Sequence, residues 1–323
     1  MKHLFRDLEG DDLCPHGSVV CIGAFDGLHL GHRALVDRAV ARARELGVEA
    51  VALSFEPLPR EFFAGAQHPP QLLPSRLSLP RAKFEGLRTL GADRVGLLRF
   101  DARMAAMSAQ DFVDRVLVQR LHAREVWVGP GFRFGHGRAG DLGLLRAMGE
   151  RHGFVAHAIE PVLLDGERIS SSAIRALLAA GDLDAAARLL GRPYAIAGKI
   201  VRGNQLGRTL GYPTANIRLA GKLPALGGIF ATRVQGVGLD NWPSVSSLGT
   251  RPTVNGTERL LEAHLFDFDS DLYGQRIKVE FVAKLRDELR FDNLEALTEQ
   301  MHRDAEQARA ILGMQQQRRG VMA

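Results

Sequence analysis

The chain has 323 residues, of which 46% are hydrophobic and 24% are charged, and its formal net charge is +5. This balance excludes disordered and fibrous proteins, and the length fits two globular domains. The first residues include acids where a signal peptide needs an apolar run, and no apolar stretch is long enough to span a membrane. Two cysteines without a C-x-x-C pair exclude a disulfide framework and a structural zinc site. We expect a cytoplasmic protein without a membrane partner.

The first half of the chain alternates short apolar runs with segments of helical period. The apolar runs are V-V-C-I, V-A-L-S-F and R-V-G-L-L, and helical periodicity covers Ala34 to Leu46 and Arg81 to Leu90. Ser108 is a candidate N-cap with Asp111 as its capping-box partner, and the strand-like run E-V-W-V begins at Glu125. This alternation predicts a doubly wound parallel sheet with helical crossovers, an α/β fold.

The second half of the chain has short alternating segments separated by Gly, Pro and Asn. This pattern predicts a small antiparallel β-barrel, and a terminal helix with one apolar stripe packs on it. An Ala-rich run before the change of pattern predicts a helical bridge between the domains. We expect domains at residues 1–186 and 187–315 and a frayed tail at 316–323. The predicted strands are Ile196 to Val201, Ile229 to Val234, Leu260 to Phe268 and Ile277 to Ala283; the predicted helix is Leu294 to Leu312, with a stripe of Leu297, Met301, Ala305, Ala308 and Leu312.

A glycine-rich segment directly follows the first of these apolar runs. It reads G-A-F-D-G-L-H-L-G-H, from Gly23 to His32, and leads into a helix. Backbone N–H groups and the positive end of a helix dipole at such a junction can bind a phosphate. His29 and His32 can donate to phosphate oxygens there, which stabilises the charge that builds as pyrophosphate leaves. The alternatives are a turn with surface histidines and a metal site, which lacks a Cys or carboxylate neighbour to complete its ligand set.

Two further segments belong beside this junction if the strand ends converge, as they do in open α/β sheets. In I-S-S-S-A-I-R, Ser171 and Ser172 offer hydroxyl or backbone N–H groups, and Arg175 offers a positive fork for phosphate. The alternative is a serine N-cap with a solvated arginine. The glycine-rich run V-G-P-G-F-R-F-G-H-G-R-A-G carries Phe132 and Phe134, which can enclose a base or a flavin ring. Its alternative is a mobile surface loop.

The predicted barrel begins with a second glycine-rich run, G-K-I-V-R-G-N-Q-L-G-R-T-L-G-Y-P-T-A-N. Its glycines allow the backbone to approach a polyphosphate closely, and Lys199, Arg202 and Arg208 can supply positive charge. Thr214 and Asn216 of P-T-A-N are oxygen ligands at alternate positions of an extended chain, and so on one side of it. Mg²⁺ prefers such oxygens and keeps its other coordination positions for water and phosphate.

A strand-like run further on, R-L-L-E-A-H-L-F-D-F, contains a candidate general base. Glu262 lies between Leu261 and Ala263, and partial desolvation among aliphatic side chains would raise the pKa of its carboxyl. Such a carboxylate can deprotonate a primary alcohol. The alternative is that strand alternation points Glu262 at solvent, and this alternative is preferred for an isolated glutamate.

The motifs of the first half resemble the nucleotidylyltransferase superfamily, in the form found in bacterial bifunctional riboflavin kinase/FAD synthetases. The resemblance rests on G-x-F-D-G-x-H-x-G-H and I-S-S-x-x-I-R. It implies a Rossmann-like domain that adenylylates FMN. The family usually has Asp or Asn where this chain has Gly131. The implied ATP site comprises Gly23, Phe25, Asp26, Gly27, His29, Gly31, His32, Ser171, Ser172 and Arg175, with His29 and His32 catalytic; the implied flavin site comprises Phe55, Pro57, Phe132 and Phe134.

The second half resembles the flavokinase family. The resemblance rests on G-x-x-x-x-G-x-x-L-G-R-x-L-G-x-P-T-A-N, G-x-R-P-T-V, L-E-x-H-L-F-D-F and D-L-Y-G. It implies that Thr214 and Asn216 hold Mg-ATP, that Glu262 deprotonates the ribityl hydroxyl and that L-R-D-E covers the flavin. The implied ATP residues are Gly198, Lys199, Gly203, Gly207, Arg208 and Gly211, and the implied flavin residues are Arg286 and Glu288.

Together the two resemblances imply two ATP-dependent steps. Riboflavin is phosphorylated to FMN, and FMN is adenylylated to FAD with release of pyrophosphate, with Mg²⁺ in both steps. One alternative is a riboflavin kinase whose first domain only binds FMN or has a regulatory role. Another is a basic nucleic-acid-binding protein, favoured by a pI of about 9.5 and disfavoured by 7% aromatic residues. We expect the small-molecule substrates ATP, riboflavin and FMN and no nucleic-acid partner, and the sequence leaves the oligomeric state open.

Overall fold

The computed structural model describes residues 3–10, 12–67, 73–203, 207, 210–219, 222–253 and 256–314, and for 250–253 and 256–258 it describes the backbone alone. The chain forms two compact units. The first comprises Met1–Pro74 and Pro80–Ser171, and the second comprises Ser75–Leu79 and Ser172–Ala323. The expected domain boundary at residues 186 and 187 stays a prediction, and the expected tail at 316–323 lies outside the described residues.

The first unit is built on a six-stranded parallel sheet. Its strands are β1 (Leu4–Phe5), β2 (Ser18–Ile22), β3 (Glu49–Glu56), β4 (Arg94–Arg99), β5 (Ala123–Val128) and β6 (Val155–Ala158). They lie in the order β1-β4-β3-β2-β5-β6, and all neighbours pair in parallel. Val20 and Ile22 pack in one core while Val19 and Cys21 pack in another. The apolar run of β2 is continuous because the sheet is covered on both faces, which confirms the predicted doubly wound fold.

Four of the described helices of the first unit follow a residue whose side chain caps them. The α-helices described in this unit are α1 (Leu30–Leu46), α2 (Pro59–Gly65), α3 (Pro80–Thr89), α4 (Ala102–Ala106), α5 (Ala109–Phe112) and α6 (Leu142–His152). Helix α1 begins four residues before the predicted Ala34 because His29 is its N-cap, and Gly47 ends it at a φ of 65°. A two-stranded hairpin, β7 (Leu163–Leu164) and β8 (Glu167–Arg168), follows β6.

The predicted cap at Ser108 is present, but the helix that it opens is irregular. The Ser108 hydroxyl accepts the backbone N–H of Asp111 at 3.0 Å. It also donates to the Asp111 carboxylate at 2.6 Å. In a capping box this carboxylate would instead accept the backbone N–H of Ser108. After α5 the chain continues as a π-helix over Val113–Arg120. Its apolar residues Val113, Val116 and Leu117 are fully buried against the sheet, so packing outweighs the strain of the wider turns.

The second unit contains a closed six-stranded barrel, which confirms the predicted architecture. Its strands are β9 (Ala195–Val201), β10 (Ala215–Arg218), β11 (Gly228–Gly236), β12 (Leu239–Thr253), β13 (Gly256–Leu265) and β14 (Arg276–Arg286). They pair antiparallel in the order β10-β13-β12-β11-β14-β9. Three of the predicted segments lie within β9, β11 and β14, and the fourth, Leu260 to Phe268, extends three residues past the end of β13 at Leu265. Strands β10 and β12 were missed because β10 is short and β12 contains Pro243, which argues against a strand in sequence.

Among the described residues, the second unit also contains α7 (Ser171–Ala180), whose first residue belongs to the first unit, and the helices α8 (Leu183–Leu190) and α9 (Leu294–Ile311). The Ala-rich segment is helical, as predicted, but it forms two helices rather than one, and its role as a bridge between the domains stays a prediction. Gly181 has a φ of 81° and Asp182 caps the next helix by accepting the N–H of Ala185 at 2.9 Å, so the chain divides it into α7 and α8. In the predicted stripe of α9, the residues Ala305 and Ala308 pack with the barrel core.

Both cysteines are buried and free, as expected. Burial raises the pKa of the Cys21 thiol to about 12, so this group stays protonated and inert at neutral pH. Within the ranges that the structure describes, no helix has the length and apolar character needed to cross a bilayer.

The packing of α6 against β6 gives a stability prediction. A Cβ on Gly149 would overlap the carbonyl oxygen of Phe154, whereas Gly143 on the same helix is exposed. We expect Gly149→Ala to lower the free energy of unfolding of the first unit by about 1–3 kcal/mol. Gly143→Ala is the matched control: its Cβ would lie 3.2 Å from the Asp141 carboxylate, a side chain that can shift, and it gains helix propensity, so we expect a change of less than about 1 kcal/mol.

The measurement uses the two tryptophans, Trp127 in the first unit and Trp242 in the second. In a Trp242→Phe background, Trp127 fluorescence during urea unfolding reports the first unit alone. Equal unfolding midpoints for the two alanine variants would contradict the close approach at Gly149.

Candidate active sites

The loop between β2 and α1 has an unusual backbone. Phe25 and Leu28 each have a φ of 48°, and Gly27 has a φ of 92°. Non-glycine residues in the left-handed region are uncommon, and they persist where the surrounding structure fixes the backbone, frequently at binding sites. The predicted phosphate loop therefore has a constrained shape that its glycines alone do not explain.

His29 and His32 lie together at the amino end of α1. Their rings stack with centroids 3.7 Å apart and an interplanar angle of 17°. The Nδ1 atom of His29 accepts the backbone N–H of His32 at 3.2 Å, so the proton of the neutral His29 ring lies on Nε2. The structure thus brings the two predicted histidines together at the positive end of the helix dipole, where donors can meet a phosphate.

Asp26 connects this loop to two other segments of the first unit. Its carboxylate is buried, and its Oδ2 atom forms an ion pair with Nη2 of Arg60 at 2.8 Å. The hydroxyl of Ser171 donates to the carbonyl oxygen of Asp26 at 2.9 Å. Two predicted ATP residues, Asp26 and Ser171, are therefore adjacent. Arg60 was missed because a single arginine in the run P-R-E-F-F gives no sequence signal.

Other predicted ATP residues of the loop have packing contacts. The ring of Phe25 is fully buried and lies against Gly23, where a Cβ would be 3.1 Å from the ring. Gly31 lies against the ring of His29, where a Cβ would be 3.3 Å away. Gly23 and Gly31 thus allow the rings of Phe25 and His29 to pack closely against the backbone. Because the Phe25 ring is buried, only the backbone of this residue is available to a ligand.

Ser172 and Arg175 belong to the second unit. The Nε atom of Arg175 donates to the carbonyl oxygen of Ser75 at 2.9 Å, within that unit. Their predicted contacts with ATP phosphates stay predictions.

The predicted flavin residues of the first unit share one aromatic cluster. Phe132 stacks on Phe134 with centroids 5.5 Å apart, and Phe134 contacts Phe112 at 5.8 Å. Phe112 in turn contacts Phe55 at 6.4 Å, and Pro57 follows the strand that carries Phe55. The structure thus brings Phe55, Phe132 and Phe134 together at the carboxyl end of the sheet.

Three aromatic residues that the sequence analysis missed extend this cluster. Phe100 contacts Phe55 with ring centroids 5.8 Å apart, and Phe62 and Phe63 contact Phe100 at 5.5 and 5.8 Å. Phe63 is 50% exposed, which is unusual for a phenylalanine beside a core. Its face is therefore accessible to a planar ligand.

Gly131 has a φ of 73°, and a Cβ at this position would have no atom within 4 Å. Asn and Asp are the non-glycine residues that best tolerate the left-handed region. The Asp or Asn that is usual in the family and the glycine of this chain therefore suit the same backbone conformation.

A buried lysine joins the phosphate loop to the strand that carries Phe55, and sequence reasoning missed it. Lys83 is fully buried, and its Nζ atom lies 3.1 Å from the Ser54 hydroxyl and 3.5 Å from the Phe55 carbonyl oxygen. The Ser54 hydroxyl donates to the carbonyl oxygen of Ala24 at 3.0 Å. The Nζ atom also lies 4.0 Å from a carboxylate oxygen of Glu56, and because a buried charge is costly without such partners, Lys83 joins these groups.

Two cavities open in the second unit. The larger, of about 720 Å³, lies between the barrel and α9, and the smaller has a volume of about 630 Å³. Thr214 lines both cavities, Glu262 lines the larger and Asn216 lines the smaller. The larger cavity also contains Leu297 and Met301, so this part of the predicted stripe of α9 faces the cavity.

Strand pairing brings the predicted kinase residues together. Asn216 of β10 is directly opposite Glu262 of β13, and Glu262 is opposite Ser247 of β12. Side chains directly opposite each other in antiparallel strands share a face of the sheet. Among the described residues, the buried Oδ1 atom of Asn216 has no hydrogen-bond partner, and its Nδ2 atom donates to the Thr214 carbonyl oxygen at 3.3 Å. An unpaired buried oxygen of this kind suits a cation ligand.

The predicted ATP residues of the second unit lie in several different environments. Gly203 lies against the Asn216 amide, where a Cβ would be 2.6 Å from Oδ1. Gly207 lines the larger cavity and Gly211 has a φ of 82°. Gly198 packs on Ile217 inside the barrel and Lys199 is exposed. Arg208 lies outside the described residues.

The predicted flavin residue Arg286 is held by an acidic partner. Its Nε atom donates to both carboxylate oxygens of Asp304, at 2.9 and 3.1 Å, and its Nη2 atom donates at 2.7 Å. Gln300 also donates to this carboxylate, at 2.9 Å. Arg286, Asp304 and Glu288 all line the larger cavity, so the ion pair forms part of its wall and joins β14 to α9.

Comparisons with known proteins cover both units. The FAD synthetase family model matches residues 11–173, and the riboflavin kinase family model matches residues 190–312. A bifunctional riboflavin kinase/FMN adenylyltransferase of Pseudomonas fluorescens is 46% identical, over 91% of this chain and 93% of its own length. The Escherichia coli K12 protein of the same description is 42% identical, over 96% and 98%. The chain belongs to the bifunctional riboflavin kinase/FMN adenylyltransferase family.

A solved structure has a similar fold along most of the chain. The macrolide-efflux protein from Streptococcus pneumoniae superposes with a TM-score of 0.74 and 29% identity, over 95% of this chain and 98% of that chain. The first family match contains the histidine pair and the aromatic cluster, and the second contains both cavities. The resemblance that the motifs predicted is therefore confirmed.

The Arg286–Asp304 pair gives a second stability prediction. Asp304→Ala leaves the arginine without its buried partner, and we expect the free energy of unfolding of the second unit to fall by about 3–5 kcal/mol. Asp287→Ala is the control, because that carboxylate is 83% exposed and pairs with Lys284 at the surface. Trp242 fluorescence in a Trp127→Phe background reports the unfolding. A loss no larger than that of Asp287→Ala would show that the pair does not hold α9 on the barrel.

Proposed function

We propose that this chain converts riboflavin to FMN at the second unit and FMN to FAD at the first unit, using ATP in both steps. The observation that carries the proposal is the pairing of Asn216 with Glu262 beside Thr214, where the two cavities meet. One cavity can hold an alcohol beside a carboxylate while the other holds a polyphosphate. We further propose a cytoplasmic protein that acts on small molecules, without a nucleic-acid or membrane partner.

In the kinase step the larger cavity holds riboflavin. Its lining combines apolar side chains of the barrel and of α9 with the Glu262 carboxylate, which suits a flavin ring with a polar ribityl chain. Glu262 takes the proton of the terminal ribityl hydroxyl while that oxygen attacks the γ-phosphorus of ATP. The bond between the γ-phosphorus and the bridging oxygen breaks, and ADP leaves.

The smaller cavity holds the ATP polyphosphate, and the Thr214 hydroxyl and the Asn216 carboxamide oxygen would hold Mg²⁺ beside it. The unpaired, buried Oδ1 atom of Asn216 supports this site, because Mg²⁺ takes oxygen ligands and completes its shell with water and phosphate. Mg²⁺ bound there supplies positive charge that offsets the charge of the phosphates. Glycines near Asn216, such as Gly203, leave room for the polyphosphate.

In the adenylylation step a phosphate oxygen of FMN attacks the α-phosphorus of ATP, and pyrophosphate leaves. His29 donates from Nε2, and His32 lies beside it at the positive end of α1, so both stabilise the charge on the phosphates. The aromatic cluster with Phe55 and Phe132 holds the flavin ring. Neither step needs a covalent bond to the protein.

The first test of these roles is Glu262→Gln. The amide cannot accept the ribityl proton, so we expect the rate of riboflavin phosphorylation to fall about 10²- to 10⁴-fold, while FMN adenylylation is unchanged. Both activities are measured by chromatography of the flavins, starting from riboflavin or from FMN. Glu299→Gln, on the exposed face of α9, is the control and keeps both activities. Equal loss of both activities in Glu262→Gln would refute the assignment.

The second test is His29→Ala. Loss of the Nε2 donor removes stabilisation from the charged transition state, and we expect FMN adenylylation to slow about 10²- to 10³-fold with riboflavin phosphorylation unchanged. His16→Ala, at an exposed position, is the control. A mixture of Glu262→Gln and His29→Ala should then convert riboflavin to FAD, since each variant retains the site that the other lacks. Failure of the mixture while each single activity survives would argue against two separate sites.

A further inference from the structure

His264 occupies the same strand and the same face as Glu262. The two residues are two positions apart on β13, and both line the larger cavity. The Nδ1 atom of His264 lies 2.8 Å from the carbonyl oxygen of Pro213. A carbonyl oxygen only accepts, so Nδ1 carries a proton and donates it to this bond. None of the sequence motifs gave this histidine a role.

This hydrogen bond lies where the backbone ladder between β10 and β13 stops. The last pair of the ladder is Ala215 with Ala263, and the next pair in the same register is Thr214 with His264. Pro213 has no N–H group and cannot continue the ladder as a donor. The His264 side chain thus supplies the hydrogen bond that keeps the segment before β10 on β13.

Packing fixes the orientation of the ring. His264 contacts the rings of Tyr212, at 5.0 Å and 67°, and Phe266, at 5.7 Å and 80°. The hydroxyl of Tyr212 is hydrogen-bonded to Nδ1 of His302 on α9. Burial lowers the pKa of His264, which favours the neutral ring, and in that form the proton lies on Nδ1, the nitrogen that faces Pro213. The donor is therefore present without protonation of the ring.

We propose that His264 is a positioning residue for the phosphoryl-transfer site, because its bond to Pro213 sets the place of Thr214 relative to Glu262. The inference rests on the proposed kinase function. Thr214 lines both cavities, so a shift of this segment displaces the nucleotide side of the site. Glu262 and the flavin side stay in place, since the β12–β13 ladder holds them independently. Loss of the bond therefore weakens ATP binding more than riboflavin binding.

Three variants of the full chain separate this role from general packing. His264→Asn places an amide N–H where Nδ1 is, and His264→Gln places the same group one bond further along the side chain. His264→Ala removes the donor altogether. We expect the KM for ATP in riboflavin phosphorylation to rise about three- to tenfold in the Gln and Ala variants, the equivalent of one hydrogen bond. In the Asn variant it stays close to wild type. His264 also lines the larger cavity, so the KM for riboflavin can rise in the Gln and Ala variants, but by a smaller factor than the KM for ATP.

FMN adenylylation by the same preparations is the internal control for intact protein, and Trp242 fluorescence checks that the second unit is folded. An Asn variant impaired as much as the Gln variant would overturn the proposal, because the donor position would then be irrelevant. A rise in the KM for riboflavin instead of ATP, or unchanged kinetics in all variants, would overturn it as well. Absence of riboflavin phosphorylation in the wild-type protein would refute the proposed kinase function itself, independently of His264.

Discussion

The register between β10 and β13 places Asn216 opposite Glu262, and the candidate kinase site depends on this alignment. A slip of one residue would turn the alternate side chains of β10 to the other face of the barrel. The register is held because Ile217 and Leu261 must face the barrel core, where both are fully buried. Burial of the aliphatic residues therefore aligns the polar residues on the opposite face. Closure of the barrel adds a second constraint, since each strand pairs on both edges.

In the first unit the site residues are brought together by the topology of the parallel sheet and not by strand register. Parallel strands end at one edge of the sheet, so the loops after β2, β3 and β5 converge without direct strand pairing between their residues. Buried polar groups then fix the loops. Lys83 and Ser54 join the phosphate loop to the strand with Phe55, and Asp26 accepts from Ser171 and pairs with Arg60. These contacts hold the left-handed residues Phe25 and Leu28, whose backbone costs free energy on its own.

The sequence patterns predicted those parts of the fold and of the sites that depend on residues close together in the chain. The apolar alternation gave the parallel sheet and four strands of the barrel, and glycines before a helix start gave the His29 loop. What the sequence could not provide are contacts between distant positions. Lys83 and Ser54 are 29 residues apart, and Arg286 and Asp304 are 18 apart. His264 and Pro213 are 51 apart, so no spacing rule connects them.

Two local features of the helices were not predicted from the sequence. The Ala-rich run has high helix propensity throughout, yet Gly181 and the Asp182 cap end one helix and begin another. After Ser108 the chain passes from α5 into a π-helix whose apolar residues are buried in the core beside the sheet. In both cases tertiary packing or a cap outweighed average propensity. Site roles drawn from the family motifs gained geometric support where the strands or helices converge, as at Glu262 with Asn216 and at His29 with His32.

The central claim is that one chain carries two successive activities at separate sites. The most direct measurement incubates the purified protein with riboflavin, Mg²⁺ and excess ATP and follows the flavins by chromatography over time. We expect FMN to appear first and then to be converted to FAD. Accumulation of FMN without FAD, or no turnover of riboflavin at all, would contradict it.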